Sequence, residues 1–364
     1  MKRWVRQRAS KDVREDSLTV VYHQRKPQAQ FSVEEYFSTV RAYLPSDIRW
    51  RVAESSRFSR GLWPRVANTI EAARRQGDIN HVTGDIHYIT LALRPSRTIL
   101  TVLDCGFETR PPGWRREVLR TLWFSWPERR VARLTAISRF TKDRLVALLG
   151  CSPERVEIVP VCLSAGFNPQ PRSLSGRPIV LQVGTKSNKN LERLAQALRG
   201  LPCDLRVVGR LKPGQRAALA ANDVTYSETH DLTREGMIAE YARADIVALA
   251  STYEGFGMPI LEGQAVGRPV LTSSVASMPE VAGGAAWLVD PYDVDAIRAG
   301  LRGLLENGGL RARLVDAGFR NIRRFTPEIV AGQYARLYRE IARQGESAGS
   351  AGPLADADHV LGPD

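Results

Sequence analysis

Cysteine is scarce in this chain, and the four present, Cys105, Cys151, Cys162 and Cys203, form no C-x-x-C pair. That excludes a disulfide-stapled scaffold and a cysteine-based zinc module, and it fits a reducing compartment. Long apolar runs are lacking too: no stretch approaches the roughly 18 residues that a membrane-spanning helix requires. The basic start Met1-Lys2-Arg3 is not followed by the apolar segment of a secretion signal. The expectation is a soluble or peripheral protein, in the cytoplasm or at the inner face of a plasma membrane. Also missing is the G-x-G-x-x-G turn of dinucleotide-binding sheets. Gly184 and Gly255, which follow candidate strands, both fail it, and no acidic residue follows at the required spacing, which argues against an oxidoreductase.

What is present is charge, unevenly spread. Lys and Arg number 52 against 39 Asp and Glu, a formal charge of +13. Residues 1–150 hold 28 basic and 15 acidic side chains, leaving 24 of each afterwards, so the whole excess (28 − 15 = 13) sits in the first part. Such a half suits an anionic partner: a phospholipid surface, a lipid-linked pyrophosphate or nucleic acid; the alternative is a solvated arginine-rich surface. No aromatic-interleaved basic motif supports nucleic acid, and none is expected as a partner. Trp114, Trp123 and Trp126, with Arg115, Arg116, Arg120, Arg129 and Arg130 beside them, have the composition of an amphipathic surface for an anionic membrane; alternatively the tryptophans are core.

With 364 residues and 43% hydrophobic content the chain can fill two cores. Short β-branched runs alternate with amphipathic segments, the pattern of βαβ units around parallel sheets. Strands are expected at 18–22, 48–53, 79–83, 98–103, 134–138 and 156–160, and, after a Pro- and Ser-rich linker at 168–178, at 179–183, 204–208, 224–226, 245–250, 269–272 and 286–289. Ser32 and Glu35 form a capping box opening a helix to Tyr43. The division is an N-terminal domain at 1–167, a linker at 168–178, a second domain at 179–326, a helix at 327–343 crossing back over the first domain, and a tail at 344–364 expected to be disordered.

Two strand ends carry candidate chemistry. In Leu181-Gln-Val-Gly184-Thr185-Lys186-Ser187-Asn188-Lys189-Asn190 a buried strand stops at a glycine before a helix, a junction that offers backbone N–H groups to a diphosphate. Lys189 adds a cation there, suited to charge building on a departing nucleoside diphosphate. In Tyr253-Glu254-Gly255-Phe256-Gly257-Met258-Pro259-Ile260-Leu261-Glu262 two glycines admit a close ligand and Pro259 suits a first helical turn. Glu254 and Glu262 flank this turn, where one carboxylate can hold sugar hydroxyls and the other a ribose diol. Asp293-Val-Asp295 has the form of a metal-binding Asp-x-Asp, but it stands where a helix begins and reads as capping.

The Glu254 to Glu262 string resembles the signature of the retaining glycosyltransferases of family four, two glutamates separated by seven residues. Further matches are Ala136-Ile-Ser-Arg-Phe-Thr-Lys142, Ile158-Val-Pro160, Val183-Gly-Thr with Lys189-Asn190, Tyr241-Ala-Arg-Ala-Asp245, Gly267-Arg-Pro-Val270, Pro279-Glu-Val281 and the opening His81 to Tyr88. The resemblance covers roughly residues 18–343. The resemblance implies an α/β GT-B fold, two Rossmann-like doubly wound domains facing a cleft, with a C-terminal helix crossing back. It implies a donor in the second domain, an acceptor glycan or lipid-linked acceptor in the first, and transfer with retention and without a metal. The donor would be a nucleoside diphosphate sugar, UDP- or GDP-linked, with no further cofactor. The product class would be a bacterial surface polysaccharide or glycolipid, the sugar a hexose such as mannose or glucose.

Carried over, Lys189 steadies the donor diphosphate, Glu254 touches the transferred sugar and Glu262 holds the ribose. Gly184, Thr185, Lys186, Asn188, Gly255, Phe256, Gly257 and Met258 line the donor, and Arg210 and Leu232 stand by the base or the phosphates. Two departures appear. Many members carry a cation where Thr185 stands, and many carry a His-Asp pair where this chain has Leu103-Asp104. Asp104 keeps the acidic member, while His87 or Asp85 is left to replace the histidine. The rival enzymes of this fold are a sugar-nucleotide epimerase and a phosphorylase, and the rival from another class is a degenerate member that binds a sugar nucleotide without transferring it.

Overall fold

The computed structural model describes residues 5–6, 17–26, 32–106, 113–172, 174 and 176–350. The first sheet holds β1 (Val5–Arg6), β2 (Leu18–Gln24), β3 (Ile48–Glu54), β4 (Ile79–Val82), β5 (Thr98–Val102), β6 (Arg133–Ala136) and β7 (Val156–Ile158), in the order β1-β3-β2-β4-β5-β6-β7. Only β1 runs antiparallel, and the sequence gives no sign of this two-residue strand. The second sheet holds β8 (Ile179–Val183), β9 (Asp204–Val208), β10 (Tyr226–Thr229), β11 (Ile246–Leu249), β12 (Val270–Ser273) and β13 (Trp287–Val289). Its order is β10-β9-β8-β11-β12-β13, parallel throughout.

Each expected strand is present, and one is displaced. The run at 224–226 becomes Tyr226–Thr229, because Asp223 takes a left-handed φ of 54° and the Val224 N–H bonds back to the Leu219 carbonyl, so the ladder starts later. In both sheets the order reverses between neighbours, β2 with β4 and β8 with β11, and ligands of open α/β sheets bind beyond the strand ends at such a switch.

Helices cover both faces. The first unit has α1 (Ser32–Ala42), α2 (Leu62–Ala73), α3 (Trp114–Arg120), a π-helical turn Thr121–Ser125 leading into α4 (Trp126–Glu128), and α5 (Arg139–Leu149). The second has α6 (Leu191–Leu198), α7 (Pro213–Ala221), α8 (Arg234–Arg243), α9 (Met258–Val266), α10 (Met278–Ala282), α11 (Val294–Glu306) and α12 (Gly308–Asn321). Helix α1 opens at Ser32 itself, and the side chain expected to cap it lies outside the described residues. Helix α13 (Pro327–Ser350) passes the end expected at Arg343, into a Gln-, Glu- and Ala-containing segment that helix tolerates. The remaining tail, 351–364, lies outside the described residues.

Helix α13 packs on the first sheet although it follows the second. Tyr334 and Tyr338, one turn apart, are fully buried there. The Tyr338 hydroxyl bonds to that of Tyr22 at 2.8 Å and to His81 Nδ1 at 2.7 Å, while His81 Nε2 meets Thr101 Oγ1 at 2.7 Å. Burial drives the His81 pKa down to about 3, so the ring is neutral and one of its nitrogens accepts. Arg339 grips Asp47 through a forked pair at 2.8 and 2.9 Å. One apolar cluster runs from Tyr22, Phe37 and Ile99 through Val159 and Phe167 to Leu181, Val247 and Ile260, so the two units share a continuous core. No helix among the described residues is long and apolar enough to cross a membrane.

Candidate functional site

The second sheet's switch gathers the two sequence motifs. Strand β8 ends at Gly184, whose φ of 92° turns the chain. A Cβ there would sit 2.9 Å from Lys189 Cε, so the glycine makes room for the lysine stem. Ser187–Lys189 forms a 3-10 turn and Asn190, in the left-handed region at φ 58°, ends it; α6 starts only at Leu191. The amide of Asn190 donates to the carbonyls of Ala250 and Pro291 at 2.9 and 2.7 Å, locking the turn to the end of β11.

Across from it, Glu254 lies on the loop after β11. Lys189 Nζ and Glu254 Oε1 are 2.7 Å apart, each side chain 14% exposed, and the Ser251 hydroxyl donates to the same oxygen at 2.7 Å. Asn188 Nδ2 donates to the Tyr253 carbonyl at 2.8 Å and the Thr252 N–H to the Asn188 carbonyl at 2.8 Å. The two motifs are therefore one rigid body around an enclosed cation and carboxylate.

Glu262 stands one turn into α9, half-buried, and accepts the hydroxyl of Tyr241 from α8. Burial lifts its pKa to about 7, the Tyr241 bond holding it down and the Glu35 charge adding to the rise. Gly257 caps α9, and Met258 and Pro259 open it. Phe256 turns inward, 5% exposed, onto Phe325 with ring centroids 5.7 Å apart, and so supports the loop from below.

The other sequence candidates are spread more widely. Thr185 donates to the Arg210 carbonyl at 2.9 Å, which brings the Gly184 turn to the end of β9. The Arg210 side chain is 70% exposed and pairs with Asp231 at 3.3 Å. Lys186 is exposed, and Leu232 packs partly buried against the shared core. His87 is buried in the first unit: its Nδ1 faces the Trp123 carbonyl at 2.6 Å, which can only accept, so Nδ1 carries the proton. Burial lowers its pKa, and Phe124 packs edge-on to the ring. Asp104 is exposed, and its Oδ1 accepts the Gly106 N–H at 2.8 Å. Asp293 accepts the N–H groups of Asp295 and Ala296 at 2.9 and 3.0 Å, the capping arrangement expected of it. Of the three tryptophans, Trp123 is core at 7% exposure, under the Arg65 guanidinium, whereas Trp114 and Trp126 are 72% and 48% exposed.

Sequence reasoning missed how closely the first unit meets the loop after β11. The Gly255 carbonyl accepts the hydroxyls of Ser138 and Thr141 at 2.9 and 3.3 Å, and the Tyr253 hydroxyl accepts the Cys105 N–H at 3.2 Å. Glu280, from α10, takes the Arg139 N–H at 2.8 and 3.1 Å, capping α5 from the other unit. Arg234 meets Glu35 at 3.0 Å. Ser138 and Glu280 lie inside motifs already singled out, which was the available signal; nothing marks Ser251 or Tyr241 as carboxylate partners. A cavity of about 500 Å³ lies elsewhere, at the N-terminal ends of β6 and β7 against Trp126, Arg129 and Arg155. Arg155 is already bonded to the Glu128 carboxylate and to the Glu128 and Val131 carbonyls.

Residues 167–321 match the family described as Glycosyl transferases group 1. The chain is 30% identical over 261 residues to the MMP alpha-(1->4)-mannosyltransferase of Mycolicibacterium hassiacum, a match covering 66% of this chain and 63% of that protein. It is 28% identical over 272 residues to the O-antigen chain mannosyltransferase B of Escherichia coli, covering 68% and 71%. In structure it is similar to Anabaena Alr3699/HepE in complex with UDP and glucose, with a TM-score of 0.71 at 13% identity over 89% of this chain and 100% of the other. The fold is the GT-B arrangement of two Rossmann-like units.

Proposed function

Starting from a second unit that matches the group 1 glycosyl transferases, we propose that the chain transfers a hexose, mannose first among them, from a nucleoside diphosphate sugar to a hydroxyl of a glycan or lipid-linked acceptor, in surface polysaccharide or glycolipid synthesis. The observation that carries this reading is the enclosed Lys189–Glu254 pair at the switch of the second sheet, 2.7 Å apart. A donor diphosphate arriving at Gly257 and Met258 competes with Glu254 for the Lys189 ammonium. The carboxylate released from the pair accepts sugar hydroxyls. Lys189 and the α9 N-terminus then carry the charge that grows on the departing phosphate. The leaving phosphate takes the acceptor proton on the same face of the sugar, which gives retention, and the reading assigns no metal. Leu103, in place of a histidine, motivates the alternative of a sugar-nucleotide binder without transfer.

Glu262 gives the reading a pH signature. Holding a ribose diol calls for the ionised carboxylate, and with a pKa of about 7 that form is lost as pH falls below neutrality. Donor affinity is expected to be about tenfold weaker at about pH 6 than at about pH 8. The ligand-free fold moves oppositely: the raised pKa means the native state binds more protons than the unfolded chain between about 4.5 and 7, so this group's contribution to stability falls as pH rises through that window. A thermal-shift panel of UDP, GDP and their hexose conjugates at both pH values tests this. Glu262→Gln should flatten the difference; silence across the panel would remove the sugar-nucleotide reading.

A further inference from the structure

The solvent face of α2 is apolar. Leu62, Trp63, Val66 and Ile70 are 70, 79, 39 and 48% exposed, while Asn68 and Ala72 on the other side are buried. Positions 62, 66 and 70 fall on one helical stripe. An ordinary surface helix turns charge outward. Here the helix's two charged residues turn away, Arg65 over the Trp123 ring at 4.6 Å and Glu71 to Arg75 at 2.5 Å. Leu91, of the 3-10 turn packed against α2, and Val118 and Trp114 of α3 are exposed as well. The border is cationic: Arg57 and Arg60 before the helix and Arg74 after it are exposed and make no ion pair among the described residues.

We propose that this face of α2 is a docking surface for a bilayer carrying anionic headgroups. The exposures of Leu62 and Trp63 mean that these side chains stand clear of their neighbours instead of lining a groove, so they can enter an interface about 5–10 Å deep, as the apolar side of an interfacial helix does. Tryptophan and arginine beside aliphatic residues match the headgroup level of a membrane. The arginine border and the basic excess of residues 1–150 select an anionic surface over a neutral one. Helix α2 follows the C-terminal end of β3, at the same edge of the sheet as Leu103 and Ser138, which meet the loop after β11. Docking through the start of α2 keeps that edge of the sheet near the lipid, where a lipid-linked hydroxyl is presented. The surface stands independently of the transfer reaction.

Cosedimentation of the full chain with vesicles tests it. The chain should bind equimolar phosphatidylglycerol and phosphatidylcholine vesicles at low salt, and bind pure phosphatidylcholine at least about tenfold more weakly. Molar salt should release much of it, since the screening length shrinks to about 3 Å. Trp63→Ser with Ile70→Ser should weaken binding at least about tenfold with an unchanged melting temperature, because both side chains are exposed. Arg57→Gln with Arg60→Gln and Arg74→Gln should remove the salt-sensitive part. No binding to anionic vesicles at low salt would overturn the proposal. So would binding that Trp63→Ser with Ile70→Ser leaves intact, or a dimer in solution that this pair dissolves without any vesicle binding, which would make a second copy the occupant.

Discussion

Lys189→Ala is expected to lower turnover by about two orders of magnitude while changing donor affinity only a few-fold. The lysine is an enclosed cation on the turn after β8, 14% exposed and 2.7 Å from Glu254. A positive charge held away from water acts most strongly on charge that develops in the transition state, and the phosphate bears more of it as the sugar departs than in the bound donor. The same substitution strips Glu254 of its counter-ion and leaves its carboxylate, among the described residues, the Ser251 hydroxyl. Breaking a largely buried pair from one side costs about 3–5 kcal/mol, so a fall in melting temperature accompanies the loss of rate. Glu254→Gln in the Lys189→Ala background separates the two effects: stability should return, because the unpaired charge is gone, while turnover should not. Steady-state rates and denaturant melts on the single and double variants measure both. Unchanged turnover in Lys189→Ala would take the lysine out of the mechanism.

Gly255→Ala should be almost as damaging, although it removes no functional group. A Cβ at this position would lie 2.5 Å from the Leu103 carbonyl oxygen and 3.0 Å from Asp104 Cβ. The first distance is not tolerated, and that neighbour is backbone that no rotamer change can move. The units must part locally, which stretches the Ser138 and Thr141 bonds to the Gly255 carbonyl and the Cys105 bond to Tyr253. A displacement near 1 Å between reacting partners costs about 100-fold in rate. Nucleotide binding should survive, because Glu262 and Tyr241 belong to the second unit. The expected result is thus a rate about 100-fold lower with nucleotide affinity retained and a larger radius of gyration by small-angle scattering. Wild-type turnover would show that the contact with Leu103 has no part in catalysis.

The parallel strands were legible because each βαβ unit repeats the same punctuation: a β-branched run, a glycine or polar turn, then a helix. The Lys189 and Glu254 loops were legible for the same reason, as both sit where such a run ends. Their direct pairing was not, since it depends on Asn190 adopting a left-handed conformation and tying the first turn to Ala250 and Pro291. The Tyr22–Tyr338–His81 network was out of reach for a different reason. Its members are separated by up to 316 residues and meet only because α13 returns to the first sheet. The face of α2 marks a limit of periodicity itself. Spacing tells which residues share a stripe, not whether that stripe meets a core, and only the buried Asn68 and Ala72 settle that it points outward. Of the two alternatives left open for the tryptophans, Trp123 takes the core one, because the π-helical turn rotates it inward onto Tyr88, while Trp114 and Trp126 stay exposed.

The claim that this chain is a transferase is tested by transfer itself. Purified chain incubated with GDP- and UDP-linked hexoses and a mannoside acceptor, followed by proton NMR of the anomeric signals, should release nucleoside diphosphate and form a product with the donor's anomeric configuration, and Lys189→Ala should suppress both. A chain that binds one of these nucleotides yet releases no diphosphate with any donor would contradict the claim and identify a binder in place of a transferase.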